Sequence, residues 1–156
     1  MKWTVLAVGR SMPPAIGDVV KEYRSRLQPF GGVGLEVVAE ERRDKGITAL
    51  LAMEREGERL SARLPRGAMS VALDSGGRMY SSEAFARQLD LWRQDAPSEI
   101  IFIIGGPDGL APALKSAASH TLSLGPMTFP HMLVRVLLFE QLYRAMTLWH
   151  GLPYHR

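Results

Sequence analysis

Three short stretches of this chain carry residue types that could do chemistry. The first is Gly105-Gly106-Pro107-Asp108-Gly109, which directly follows the apolar run Ile-Phe-Ile-Ile. Paired glycines let a backbone take positive φ and come close to a ligand. The pattern is neither the dinucleotide fingerprint GxGxxG nor a phosphate loop, since no GK[ST] follows. A ligand-facing loop and a tight strand-to-helix turn therefore both remain readings of it. The second stretch is Leu124-Gly125-Pro126-Met127-Thr128-Phe129-Pro130-His131. Two prolines and a glycine make it stiff, with many free backbone groups. Such a loop can read an adenine edge through its main chain while Leu124, Met127 and Phe129 supply apolar walls; a rigid connector is the alternative. The third is the terminal Tyr154-His155-Arg156. An aromatic ring, an imidazole and a guanidinium in succession can stack on a base, hydrogen-bond it and hold a phosphate, or form a frayed basic tail.

The four histidines, His120, His131, His150 and His155, all fall in the C-terminal part of the chain. Their spacing matches no metal signature such as HExxH. Only Glu140 lies nearby as an acidic partner, so no metal site is expected. A capping role for His131 and an exposed place for His150 are the expectations. The chain has no cysteine, which excludes disulfides, thiolate metal sites and cysteine nucleophiles and suits a reducing cytoplasm. Its N-terminus has too short an apolar run for a signal peptide, and no run approaches membrane-spanning length. A cytoplasmic protein without membrane attachment is the expectation. The net charge is +3. From Ala111 onward Lys115, Arg135, Arg144 and Arg156 face Glu140 alone, a basic bias compatible with a phosphate-rich partner.

Strands alternating with helices must position these stretches. Residues 3–8 read as an opening buried strand. A helix after Pro13-Pro14 carries Ile16, Val19, Val20, Tyr23 and Leu27 on one face. Residues 35–39 alternate as a half-buried strand with Leu35, Val37 and Ala39 inward. The run Glu40-Glu41-Arg42-Arg43-Asp44-Lys45-Gly46 reads as a solvated charged loop, with RNA contact or a lid as the functional alternative. A helix over 48–64, a strand over 70–74 and a turn at Ser75-Gly76-Gly77 follow. A helix capped by Ser81 or Ser82 buries Phe85, Leu89 and Trp92. Residues 100–104 have the pattern of a central parallel strand. A short helix over 112–119, a strand over 121–124 and a long helix over 131–149 complete the chain. This order predicts one α/β domain over residues 1–156, with a mainly parallel sheet of about five strands and helices on both faces. Ligands of such sheets bind beyond the C-terminal strand ends, which selects the loops at 75–77, 105–109 and 125–129.

At this point the sequence resembles a known family, the RlmH 23S rRNA pseudouridine N3-methyltransferases of the SPOUT class. The resemblance covers essentially the whole chain. It rests on Ala7-Val8-Gly9-Arg10, Leu73-Asp74-Ser75-Gly76-Gly77, the Gly105–Gly109 loop, Met127-Thr128-Phe129-Pro130-His131, Val134-Arg135-Val136, Glu140-Gln141-Leu142-Tyr143-Arg144-Ala145 and Tyr154-His155-Arg156. It implies a C-terminal trefoil knot, which general folding rules would not suggest. It also implies a homodimer that uses S-adenosylmethionine to methylate N3 of a pseudouridine in 23S rRNA, on the large ribosomal subunit or the assembled ribosome. Carried over by motif, the cofactor contacts are Leu73, Gly105, Leu124, Gly125, Pro126, Met127, Thr128 and Phe129. For the target base they are Tyr154, His155 and Arg156, with Arg135 a further candidate. His155 as proton acceptor and Arg156 as stabiliser of the developing anion stand as alternatives. Gly125 and Pro126 replace a serine and a basic or small residue of many relatives, and Asp108 stands where Glu or Asn is frequent. Two other classes stay open: a nucleotide- or flavin-binding α/β enzyme, and a non-catalytic ribosome-associated RNA-binding module.

Overall fold

The computed structural model describes residues 1–44, 46–96 and 98–156. Its elements run β1 (Lys2–Val8), α1 (Pro14–Leu27), a 3-10 turn (Gln28–Phe30), β2 (Gly34–Val38), α2 (Ala49–Ser61), β3 (Met69–Met79), α3 (Ser82–Asp95), β4 (Glu99–Ile104), α4 (Pro112–Ala117), β5 (His120–Ser123) and α5 (His131–Trp149). The strands form one five-stranded sheet in the order β2-β1-β4-β3-β5, and every pairing is parallel.

Alternation along the strands divides the core in two. Trp3, Val5 and Ala7 of β1, with Ile100, Phe102 and Ile104 of β4, face α1, α3 and α5. Leu6 and Val8, with Ile101 and Ile103, face Leu60 of α2 and Leu114 of α4. Burying each of the Val, Leu, Ile and Phe side chains among them stabilises the fold by about 1.5–3 kcal/mol relative to exposure. β4 is buried along its whole length, as a central strand covered on both faces must be. Thr48 caps α2 by accepting from the Leu51 N–H at 3.1 Å. Ser81 caps α3 by accepting from Ala84 at 3.1 Å, satisfying end donors that the helix leaves free.

Several expectations shift. Val19 is 41% exposed rather than inward, because α1 leans its buried stripe on Val20 and Leu27. In β2 the best-buried residue is Val38 and Ala39 lies beyond the strand, so the edge strand does not show the simple alternation of its sequence. Ser75-Gly76-Gly77 does not end β3. Both Leu73 and Arg78 align with Leu122 of β5, so the intervening residues bulge out of the ladder. A Cβ on Gly77 would lie 2.8 Å from the Leu122 nitrogen, so only glycine passes β5 there. His131 is not the cap of α5: Pro130 holds that position without a side-chain hydrogen bond. His150 is exposed, as expected. Among the described residues, no helix is long and apolar enough to cross a membrane.

Candidate active site

A parallel sheet delivers all its strand C-termini to one edge, and there the selected loops meet. A cavity of about 280 Å³ lies between Leu73 and Asp74 of β3, Gly106 and Asp108 after β4, and Leu124 to Phe129 after β5, with Val134 of α5 as its floor. The loops are tied to one another. The Ser123 hydroxyl lies 3.0 Å from the carbonyl oxygens of Ser75 and Gly125 and accepts from the Gly125 N–H at 3.0 Å. Gly109 donates to the Gly106 carbonyl at 3.0 Å. A Cβ on Gly105 would lie 2.4 Å from the Gly109 carbonyl carbon, so this turn folds back on its own backbone.

Of the residues expected at the cofactor, Leu73, Leu124, Gly125, Met127, Thr128 and Phe129 line this cavity. Gly105 sits behind its wall, against Gly109 and Leu110. Pro126 is not among the lining residues. Asp74, Gly106, Asp108 and Val134 also line the wall; Gly106 and Asp108 belong to the selected 105–109 loop but were not named as cofactor contacts, and Asp74 and Val134 were not expected there. Asp108 had a sequence signal, as a departure from the family pattern in a glycine loop. Val134 belongs to the motif Val134-Arg135-Val136, but helical periodicity marks it only as core. Lys115 donates to Asp74 Oδ1 at 3.2 Å and the Gly76 N–H to Asp74 Oδ2 at 3.1 Å.

The tail forms a second cluster. Tyr154 donates to Glu140 Oε1 at 3.1 Å, beneath the Arg144 guanidinium 4.7 Å from its ring centre. Arg144 donates to Glu140 at 2.5 Å through Nη2 and contacts His155 Nδ1 at 3.2 Å through Nη1. His155 Nε2 lies 2.8 Å from Glu83 Oε1. Arginine can only donate, so Nδ1 accepts and Nε2 carries the proton given to Glu83. Burial, then the Tyr23 side chain and the Glu140 charge, push the Tyr154 phenol above its ordinary range, so it stays protonated. Glu83 is held at about 2, first by its own N–H at the start of α3, then by the Ser81 hydroxyl and His155. Arg156 is exposed. Glu83, Glu140 and Arg144 were not singled out as site residues by the sequence: Glu140 and Arg144 are an i, i+4 pair that reads as ordinary pairing along a helix, and the contact of Glu83 with His155 joins segments 72 positions apart, which leaves no local pattern.

No tail residue lines the cavity. A groove flanked by Ser82 and Gln141 shares Leu124 and Phe129 with it. Arg135, expected at the target base, hydrogen-bonds to none of the tail residues. It is fully buried on α5 and donates through Nη2 to the carbonyl oxygens of Val8 and Gly9. Burial lowers its pKa from the ordinary arginine value.

The family described as "Predicted SPOUT methyltransferase" matches residues 1–155. A Magnetococcus marinus protein named ribosomal RNA large subunit methyltransferase H is 43% identical, over 99% of this chain and 99% of its own. A Rhodospirillum centenum protein of the same name is 45% identical, over 100% of this chain and 99% of its own. The solved structure of a probable methylase family protein from Haemophilus influenzae superposes with a TM-score of 0.56 at 11% identity, covering 98% of this chain and 70% of that one, a likeness of fold.

Proposed function

This chain belongs to the SPOUT methyltransferase family, and from that membership we propose that it methylates N3 of a pseudouridine in 23S rRNA. It is an S-adenosylmethionine-dependent methyltransferase of large-subunit ribosomal RNA. The strand order β2-β1-β4-β3-β5 is consistent with the family's C-terminal trefoil knot, and residues 1–156 are read as one domain. The single observation that carries the proposal is the convergence of three loops, after β3, β4 and β5, on one cavity.

That cavity fits the donor. Leu124, Met127 and Phe129 offer apolar walls, and the main chain of residues 124–129 offers an adenine edge its hydrogen-bonding groups. Gly125 sits at φ 125° with open space where a side chain would project, so its contact is through the backbone. When bound, S-adenosylmethionine supplies a methyl group on a sulfonium, already a strong electrophile. The protein then has to hold the target base in line and stabilise the anion formed as N3 gives its proton to water; transfer of the methyl group to N3 releases neutral S-adenosylhomocysteine. Alignment of this kind accounts for about 7–11 kcal/mol of a barrier. Both imidazole nitrogens of His155 are engaged in the docked tail, so we assign it to positioning Tyr154 and Arg156 rather than to proton removal. Arg156, exposed and cationic, is assigned to the developing anion. Arg135 is assigned to bracing α5 beneath the cavity.

A homodimer completes this reading. Met127, Phe129, Leu133 and Leu137 expose an apolar strip beside the cavity, and a second copy seated on it brings its own tail toward the reacting atoms. Ribosomes or large subunits in the cytoplasm are the substrate. The deciding experiment is methyl transfer from labelled S-adenosylmethionine to ribosomes that carry or lack the target pseudouridine. Transfer only to the first is expected. Equal labelling of both, or binding of FMN or NAD in place of S-adenosylhomocysteine, would overturn the assignment.

A further inference from the structure

The charged loop after β2 reaches the cavity wall. Arg43 donates to Glu56 Oε1 at 2.5 Å, to Glu56 Oε2 at 3.3 Å, to the Glu41 carbonyl at 2.6 Å and, through Nε, to Asp108 Oδ2 at 3.1 Å. Glu56 itself is 1% exposed and also accepts from the Glu41 N–H at 2.9 Å. Its carboxylate lies directly under the glycine loop, since a Cβ on Gly106 would fall 2.7 Å from Glu56 Oε2. A buried carboxylate is costly unless paired and hydrogen-bonded, and the fork of one arginine is what pairs it. The same fork fixes one oxygen of Asp108.

The wall holds two carboxylates. Asp74 has both oxygens engaged, by Lys115 and by the Gly76 N–H. Asp108 Oδ1 has no partner among the described residues. Asp108 is exposed to solvent, and this oxygen is free to accept from a ligand on the wall of the cavity. Each wall carboxylate is already paired with a cation, Lys115 or Arg43. A neutral donor therefore suits Asp108 better than an ammonium group, which the same cations would repel. In the donor molecule the neutral hydroxyl donors are those of the ribose. Acidic side chains take ribose hydroxyls in the same way beside other strand-end glycine loops.

We propose that Arg43 is a positioning residue of the cofactor cavity: braced on Glu56, it holds the Asp108 carboxylate so that Oδ1 accepts a hydrogen bond from a ribose hydroxyl. This rests on the S-adenosylmethionine reading given above. The charged loop is then neither a mere solvated connection nor an RNA contact at Arg43, but part of the cofactor wall. Lys45 of that loop lies outside the described residues.

Titration calorimetry with S-adenosylhomocysteine and its 2′-deoxy and 3′-deoxy forms tests it. Hydrogen bonds to charged groups contribute enough for Asp108→Ala to weaken S-adenosylhomocysteine binding about tenfold or more. One deoxy form should bind the wild type more weakly by a similar factor, and that preference should vanish in Asp108→Ala. Arg43→Ala should reproduce both effects, and Arg43→Lys should restore part of the affinity. Unchanged binding by Asp108→Ala, or a deoxy penalty that survives in that variant, overturns the proposal. So does an Asp108→Ala effect absent with 5′-methylthioadenosine, which keeps the ribose and lacks the ammonium. Failure of the wild type to bind S-adenosylhomocysteine at all would instead overturn the functional reading on which the proposal stands.

Discussion

Arg135 on the last helix donates from Nη2 to the main-chain carbonyl oxygen of Gly9 at 2.7 Å, and so fastens α5 to the end of the first strand. The contact spans 126 positions in the chain and is fully buried on the arginine side. Gly9 has φ 102°, and a Cβ there would lie 2.9 Å from the Met132 methyl. The close approach of strand end and helix therefore depends on both residues. Arg135→Ala removes the donor from two buried carbonyls and leaves a cavity. We expect a loss of about 3 kcal/mol or more in urea unfolding, with Arg135→Met losing less because it refills the volume. An unchanged midpoint for Arg135→Ala would remove the bracing role.

The glycine loop offers a paired comparison. Alanine at Gly105 would meet the Gly109 backbone at 2.4 Å, whereas alanine at Gly109 meets nothing within 4 Å and only strains a φ of 87°. Gly105→Ala should cost about 1–3 kcal/mol through backbone displacement and weaken S-adenosylhomocysteine binding more than tenfold. Gly109→Ala should cost about 1–2 kcal/mol with a smaller effect on binding. Calorimetry and thermal melts on both variants measure the difference.

Truncation after Pro153 removes Tyr154, His155 and Arg156, none of which lines the cavity. Affinity for S-adenosylhomocysteine should stay within about twofold of the full chain, because no lining group is lost. Methylation of ribosomes should disappear. Normal turnover by the truncated protein would sink the role given to the tail.

His131 gives the fold a pH dependence. Burial holds its pKa below the ordinary histidine value, 6.5, with the Arg135 charge acting in the same direction and Glu40 opposing. The unfolded chain therefore takes up the proton first. The contribution of His131 is present above the unfolded value and is lost as pH falls from there toward the depressed folded value. Denaturant midpoints measured from pH 8 down to pH 5 should fall, and His131→Gln should flatten that part of the decline. A His131→Gln profile parallel to the wild type would show that the dependence comes from another group.

The apolar strip beside the cavity is the proposed dimer surface. Leu137 is 37% exposed on it, next to Leu133 and Phe129. Leu137→Glu places a charge where a second copy would seat, so sedimentation should shift from dimer to monomer and methyl transfer should fall with it. A wild type that sediments as a monomer would contradict the proposal directly.

Much of the frame is legible in the sequence. Ile100 to Ile104 read as a central strand because a segment covered on both faces must be apolar at every position. The loops after β4 and β5 stand out as candidates because they follow strand ends and their glycine and proline spacing constrains the backbone locally, although a turn or connector remains an equally open reading. Other features were not legible. Val19 shows the limit of helical periodicity: its spacing places it beside the buried face of α1, and only packing decides which edge of that face meets solvent. Residues 75–77 read as a turn, since nothing local reveals that β5 would align Leu122 with both Leu73 and Arg78.

The sequence by itself determined the element order, the parallel α/β class and the family, and it marked the candidate stretches, because these depend on periodicity, local backbone preference and motif order. The tertiary structure alone decided the rest. It sank Arg135 under Gly9, gathered Leu73, Asp108, Leu124 and Val134 onto one wall, and joined Arg43 to Glu56 and Asp108. Burial and ion pairing between distant segments depend on which elements pack together, and a single chain of residue types does not encode that at any one position.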